Sequence, residues 1–282
     1  MDLKSKIILI YGPTASGKSK FAVKLAKKIN GEIINADSMQ IYKELKILTA
    51  RPLKKDYQKI IHHFYGFISV KKDFSTGNWL KLVNKKILDL KKRKKTPILV
   101  GGTGLYFKAL TEGLVNIPNI PAKYREQVRS LHKKIGPKNF FLKLVRIDPL
   151  TKYRINPSDT HRSIRAYEIK LFTKKSIFDW FKNTKSTYED YDFYKIYIDY
   201  PRKELLKRIS LRAQEMILNG AIKEVKKFDK LRISKNKTAN KAIGINEIRE
   251  YIAKKIQISD VIEKISIKTR QYAKRQSTWG RG

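Results

Sequence analysis

The sequence predicts an α/β fold, a P-loop-type parallel sheet flanked by helices with a mostly helical insertion domain, on three observations. Over roughly the first 110 residues, short apolar runs alternate with amphipathic helical stretches, the pattern of parallel strands joined by crossover helices. The run Gly12-Pro13-Thr14-Ala15-Ser16-Gly17-Lys18-Ser19 fits G-x-x-x-x-G-K-[ST] and stands between a strand-like segment and an amphipathic helix. After residue 113 the strand signals stop and helical patterns take over until about residue 191. The expected organisation is a phosphate-loop core over residues 1–113 and 192–282, interrupted by a helical insertion over residues 114–191.

The elements follow in order. Lys6–Tyr11 reads as the first strand, Glu32–Ala36 as the second and Pro97–Gly101 as the third. Between the last two lies a helix over roughly Trp79 to Lys94, with Leu80, Val83, Ile87 and Leu90 on one face. Its basic end, Lys91 to Lys95, suits the negative pole of the helix dipole. The insertion is punctuated by Pro118, Pro121, Pro137, Pro149 and Pro157. Phe193–Asp199 should return to the sheet, after which Pro201 opens a helix, where proline fits best. Helices then continue, interrupted near Asn219-Gly220 and Ser234–Thr238.

Composition sets bounds. With 41% hydrophobic residues the chain can build a core. Its net charge of +39 suits a polyanionic partner, nucleic acid first among them. The same charge, carried by 48 Lys and only 16 Arg, is also what an AT-rich coding sequence produces, so composition alone does not choose. The absence of Cys excludes disulfides and thiolate metal sites. Met1 to Lys6 runs straight into a strand without a signal peptide, and no apolar run approaches membrane-spanning length. The expectation is a cytoplasmic protein with no membrane partner.

The loop from Gly12 to Ser19 has a physical rationale. Glycines let the backbone wrap a phosphate so that successive N–H groups point inward, and the helix N-terminus adds its dipole. Lys18 brings a mobile positive charge, and the Ser19 hydroxyl is placed to ligate a magnesium ion. Such a loop specifies a polyphosphate, not ATP. An ATPase carries a second acid at the end of a later strand, whereas Pro97–Gly104 ends in Gly and Thr, and Asp199 is followed closely by Pro201. Asp37, at the carboxyl end of the second strand, should face the cavity above the loop. There it could accept a proton from a nucleophile or cap a following helix; its position alone leaves both open.

Read together, the segments resemble the tRNA dimethylallyltransferase, or isopentenylpyrophosphate:tRNA transferase, family. After the loop come Asn35 to Tyr42, Thr49-Ala50-Arg51-Pro52, His62-His63 and Gly101-Gly102-Thr103-Gly104-Leu105-Tyr106. The insertion carries Asp148-Pro149, Arg154-Ile155 and Asp159 to Glu168. Arg208, Arg212, Gly220, Glu224-Val225, Ile243-Gly244 and Thr269 to Gln276 follow, with Thr278-Trp279 behind. The resemblance implies that the loop binds dimethylallyl diphosphate with Mg2+. It implies an acceptor, N6 of the adenosine 3′ of the anticodon in tRNAs reading codons that begin with U. It implies a monomer that binds the tRNA anticodon stem-loop.

On that resemblance Asp37 takes the N6 proton, Lys18, Ser19 and Arg212 stabilise the leaving pyrophosphate, and Thr103 joins the catalytic set. An adenine that must leave its stack to reach a buried diphosphate calls for a channel open at both ends. The tRNA contacts it implies are Asp37, Ser38, Met39, Gln40 and Thr103, then His161, Arg162, Ser163, Ile164 and Arg165. Further along they are Lys241, Ala242, Ile243, Gly244, Ile245 and Asn246, then Lys274, Arg275, Gln276, Ser277, Thr278, Trp279, Gly280 and Arg281.

Plainer roles compete at single positions. Arg162 and Arg165 could be a solvated helix face, Thr103 a helix N-cap, Arg212 a surface arginine, and His62-His63 structural histidines. Four residues depart from the family pattern. Leu48 and Gly66 stand where a glycine and an acid are usual, and Ile245 and Gly280 where a tyrosine and a larger apolar residue are. The rival classes are a small-molecule kinase and a non-catalytic RNA-binding protein; the intact loop and Asp37 argue against the latter.

Overall fold

The computed structural model describes residues 3, 5–182 and 184–282. They fall into two compact units, Met1–Thr111 with Tyr188–Gly282, and Glu112–Thr187.

The first unit is a five-stranded parallel sheet in the order β3-β2-β4-β1-β5. Its strands are β1 (Ile7–Tyr11), β2 (Gly31–Ala36), β3 (His62–His63), β4 (Thr96–Gly101) and β5 (Phe193–Tyr197). The fold class is the expected one. β1, β2 and β4 are buried almost throughout because helices cover both faces, with Glu32, Asn35 and Thr96 as their polar members. On one side α1 (Lys18–Lys28) packs Ala22, Val23 and Ala26 against Ile8, Ile10 and Ile98. On the other, α2 (Thr76–Lys92) and α3 (Gly104–Thr111) bury Trp79, Val83, Ile87, Phe107 and Leu110 against Ile7, Leu9 and Leu99. Trp79 is wholly buried, and its indole N–H donates to the Asn35 carbonyl (3.0 Å). α2 starts at Ser75, whose hydroxyl accepts the Asn78 N–H.

Element bounds shift by up to three residues from the sequence reading, as where α2 begins at Thr76 instead of Trp79, and two differences have a plain physical reason. β5 stops at Tyr197, two residues early: the Ile198 N–H makes the last ladder bond, to the Tyr11 carbonyl, and the Tyr200 N–H then turns to the Asp199 carboxylate. β3 is only two residues long, too short for periodicity to register, and pairs on the sheet edge with Ile33 and Ile34.

After the sheet come α7 (Arg202–Leu218), α8 (Ala221–Lys230), α9 (Ile245–Ile252) and α10 (Ile258–Arg281). They form a second core in which Ala213, Val225, Phe228, Ile248 and Val261 meet Ile41, Leu45 and Leu48 of the segment after β2. Glu224 ties that segment down by accepting the backbone N–H groups of Lys46, Ile47 and Leu48.

The second unit is helical, as predicted for the insertion: α4 (Ala122–Ile147), α5 (Thr160–Thr173) and α6 (Ile177–Phe181). α4 breaks at Gly136, ahead of Pro137. Phe140, Leu144, Ala166 and Tyr167 make its core. Among the described residues, no helix is long and apolar enough to cross a membrane.

Candidate active site

The carboxyl ends of β1, β2 and β4 converge on one edge of the sheet, where parallel α/β sheets bind ligands. From β1 the chain enters the phosphate loop. Gly12 has φ +144°, and a Cβ there would lie 2.6 Å from the Ile198 carbonyl oxygen, so only glycine fits. Gly17, at φ +90°, then leads into α1. At the end of β4, a Cβ on Gly101 would lie 2.0 Å from the Ala36 carbonyl oxygen, so β2 and β4 stay closely apposed where Asp37 begins. Gly101→Ala is expected to wedge these ends apart and lower Tm by about 5 °C or more, read by thermal unfolding.

Asp37 leaves β2 into a turn. Its Oδ1 accepts the backbone N–H groups of Met39 (2.8 Å) and Gln40 (3.3 Å). Asp37 therefore does cap, but it caps a turn, and Oδ2 takes no hydrogen bond among the described residues. Burial raises its pKa above the ordinary carboxylate value, opposed in part by those two amides and by Lys18. Lys18 shows the converse. Burial brings its pKa down to about 7, with Arg212 pushing the same way and Asp37 opposing, and its ammonium donates to the Pro13 carbonyl (2.6 Å).

Arg212, on α7, donates to the Thr14 hydroxyl (3.2 Å), and burial lowers its pKa with Arg208 adding to the effect. It is part of the loop's wall, not a free surface arginine. Thr103 stands just before α3. Its hydroxyl accepts the Ser38 N–H (3.0 Å) and donates to the Ser38 hydroxyl (3.3 Å), so it ties the turn after β2 to the end of β4.

Two cavities meet here. One, of about 500 Å³, runs along the loop and α1 past Lys18, Ser19, Asp37 and Arg212 to His62 and Tyr65. The other, of about 260 Å³, is largely apolar and is lined by Leu48, Ala213, Met216, Ile243 and Ile265, with Lys241, Tyr272 and Arg275 as polar members. Thr14, Asp37, Ala50 and Arg212 line both. Asp37 thus stands at the junction of a chamber rich in cations and an apolar one.

Several residues expected to touch RNA are placed otherwise. Gln276 is buried; its Oε1 accepts the Thr14 N–H (2.7 Å) and its amide donates to the Gly102 carbonyl (3.0 Å), a brace between loop and β4. Ile245 is wholly buried in the second core. Gly244 has φ +104°, and the Leu48 side chain lies where its Cβ would be. Trp279 packs on Tyr11 and Phe107 over Gly104, anchoring α10. A Cβ on Gly280 would meet the Tyr197 ring at 2.7 Å, which accounts for glycine there.

In the helical unit Ser163 is buried, and Arg165 faces the buried Glu168 (3.6 Å), leaving His161 and Arg162 as the exposed members of that run. Lys241, Asn246, Lys274 and Arg275 are exposed.

Sequence reasoning missed that His62 and Tyr65 line the loop cavity. His62 Nδ1 donates to the Ile60 carbonyl (2.9 Å) and its ring stacks on Tyr57 at 3.8 Å, while His63 pairs with the buried Glu32 (2.7 Å), which Arg93 also holds. The pair was legible as a motif, but its two directions depend on the edge strand. Gly66 leaves room for Arg51, whose guanidinium would overlap any Cβ there.

The IPP transferase family model matches residues 40–282. The chain is 59% identical over 281 residues to the tRNA dimethylallyltransferase of Pelagibacter ubique (strain HTCC1062), covering 100% of this chain and 90% of that protein. It is 45% identical over 277 residues to the protein of that name in Rickettsia massiliae (strain Mtu5), covering 98% and 76%. Its fold is similar to the crystal structure of the full-length tRNA isopentenylpyrophosphate transferase of Bacillus halodurans, at TM-score 0.69 and 32% identity over 99% of this chain and 87% of that one. It is also similar to a eukaryotic dimethylallyltransferase described as acting on tRNA, at TM-score 0.84 and 29% identity over 98% and 69%. The phosphate loop and Asp37 lie before the matched segment, yet they join its residues at one junction. By sequence and by fold, the chain belongs to the IPP transferase family.

Proposed function

We propose that the chain transfers the dimethylallyl group of dimethylallyl diphosphate to N6 of the adenosine 3′-adjacent to the anticodon, in tRNAs reading codons that begin with U. The products are N6-dimethylallyladenosine and pyrophosphate. One observation carries this reading: a cationic chamber on a phosphate loop and an apolar chamber meet at a single half-buried carboxylate, Asp37.

The diphosphate lies on the loop amides with Lys18 and Arg212, and the adenine enters from the apolar chamber. The exocyclic amine is a weak nucleophile because its lone pair is delocalised into the ring. As N6 bonds to the allylic carbon, the carbon–oxygen bond breaks and its electron pair leaves with pyrophosphate. The N6 proton passes to Asp37, whose raised pKa suits an acceptor near neutral pH. Lys18, Arg212 and the loop stabilise the charge gathering on the leaving group.

Magnesium fits the donor set. Among the described residues no cluster of three or more His, Cys, Asp or Glu could hold a metal. Ser19, which lines the loop cavity, would hold it through its hydroxyl. When bound it adds positive charge against the leaving diphosphate. The helical unit contacts the anticodon stem-loop through its exposed His161 and Arg162. The protein acts as a monomer, since one chain lines both chambers, and in the cytoplasm, where its substrate is.

The test incubates unmodified tRNA with the protein, magnesium and either dimethylallyl diphosphate or ATP, followed by nucleoside mass spectrometry. A dimethylallyl mass increment on adenosine with the first donor is expected. Turnover of ATP without that increment would instead point to a kinase.

A further inference from the structure

α10 has two working faces. Thr269, Tyr272 and Arg275 look into the apolar chamber. Arg270, Lys274 and Thr278 line a separate groove of about 910 Å³ between α7 and α10. Its floor is apolar, built from Leu205, Leu206 and Ala273, and Ile209 lines both groove and chamber. Arg202, at the start of α7, and Arg270 flank it, and both are exposed. The one acid lining it, Asp199, is taken by Arg281 (3.1 Å). Among the described residues, Arg202, Arg270 and Lys274 enter no ion pair, unlike the exposed Arg93, Lys182, Lys207 and Lys268.

We propose that this groove binds the RNA backbone beside the flipped adenosine, with Arg202 and Arg270 as phosphate contacts that position it. The inference rests on the proposed tRNA substrate. A base held in the apolar chamber brings its phosphodiester chain to the chamber's mouth, and the groove opens across a single helix, about 10–12 Å wide. Three uncommitted cations match the charge of successive phosphates, and the apolar floor suits ribose and base faces. An acidic peptide would meet the same cations, but nothing would place it beside the chamber.

The experiment compares wild type, Arg202→Ala/Arg270→Ala and a control, Lys81→Ala/Lys85→Ala, which removes equal charge from the exposed face of α2. Affinity for an unmodified anticodon stem-loop RNA is measured across salt concentrations, and magnesium–pyrophosphate binding is measured in parallel. The groove variant is expected to bind the RNA about tenfold or more weakly at moderate salt. Its log–log salt slope should fall by roughly 1.4 to 1.8, the loss of two phosphate contacts. Pyrophosphate binding should be unchanged, and the control should stay near wild type. A groove variant that matches the control overturns the inference while leaving the proposed substrate intact. A wild type that fails to bind the RNA at all overturns both.

Discussion

Replacing Asp37 with Asn should slow the single-turnover prenylation of tRNA by ~10²- to 10⁴-fold, the usual contribution of a general base. Asn keeps the size of the side chain and an oxygen able to accept the Met39 and Gln40 amides, so the turn after β2 survives. What it lacks is a basic oxygen toward the junction. The loss therefore belongs to the chemical step, and affinities for tRNA and for the diphosphate should change far less. The wild-type rate should also carry an acidic limb. Burial raises the pKa of Asp37, so its charged form, the one able to take a proton, is lost as pH falls through a value above the ordinary carboxylate range. Asp37→Asn should be flat over that limb. If Asn supports near wild-type chemistry with the limb intact, Asp37 is only the cap of its turn.

The second large effect is expected at Lys18. Lys18→Met should lower kcat/KM for dimethylallyl diphosphate by ~10²- to 10³-fold, as when one preorganised donor to a developing anion is removed. Inorganic pyrophosphate should bind much more weakly, by calorimetry, while anticodon stem-loop RNA binds nearly as before. Met fills the methylene volume of Lys without charge, and among the described residues no other basic side chain bonds the loop backbone as Lys18 does at Pro13. Retained pyrophosphate affinity would assign anion binding to Arg208 and Arg212 instead.

These expectations trace unevenly back to the sequence. The loop was legible because its glycines, lysine and serine are local requirements of phosphate binding. β1, β2 and β4 were legible because parallel strands covered on both faces carry short apolar runs, Ile7 to Ile10, Ile33-Ile34 and Ile98 to Val100. Residues whose role is fixed by a distant partner were not. Gln276 reads as one polar residue among several on an exposed helix, and only the arrival of Thr14 and Gly102 beside it makes it a brace. Ile245 and Ser163 sit in runs that look exposed, yet helix phase turns both inward. Arg165 is separated from Arg162 by one helical turn, but Glu168 engages it while Arg162 projects outward. Leu48, where glycine is usual, makes sense only once it is seen covering Gly244.

The brace at Gln276 also has a bearing on how the protein is made. The loop it holds is synthesised 262 residues before it. During translation the loop therefore emerges long before the helix that completes its chamber, and a contact of such sequence separation forms late. A nascent chain would carry the phosphate-loop sequence without a finished donor site. Competence for the allylic diphosphate should switch on only when α10 has docked, so that a half-made chain does not hold the donor in an unfinished chamber.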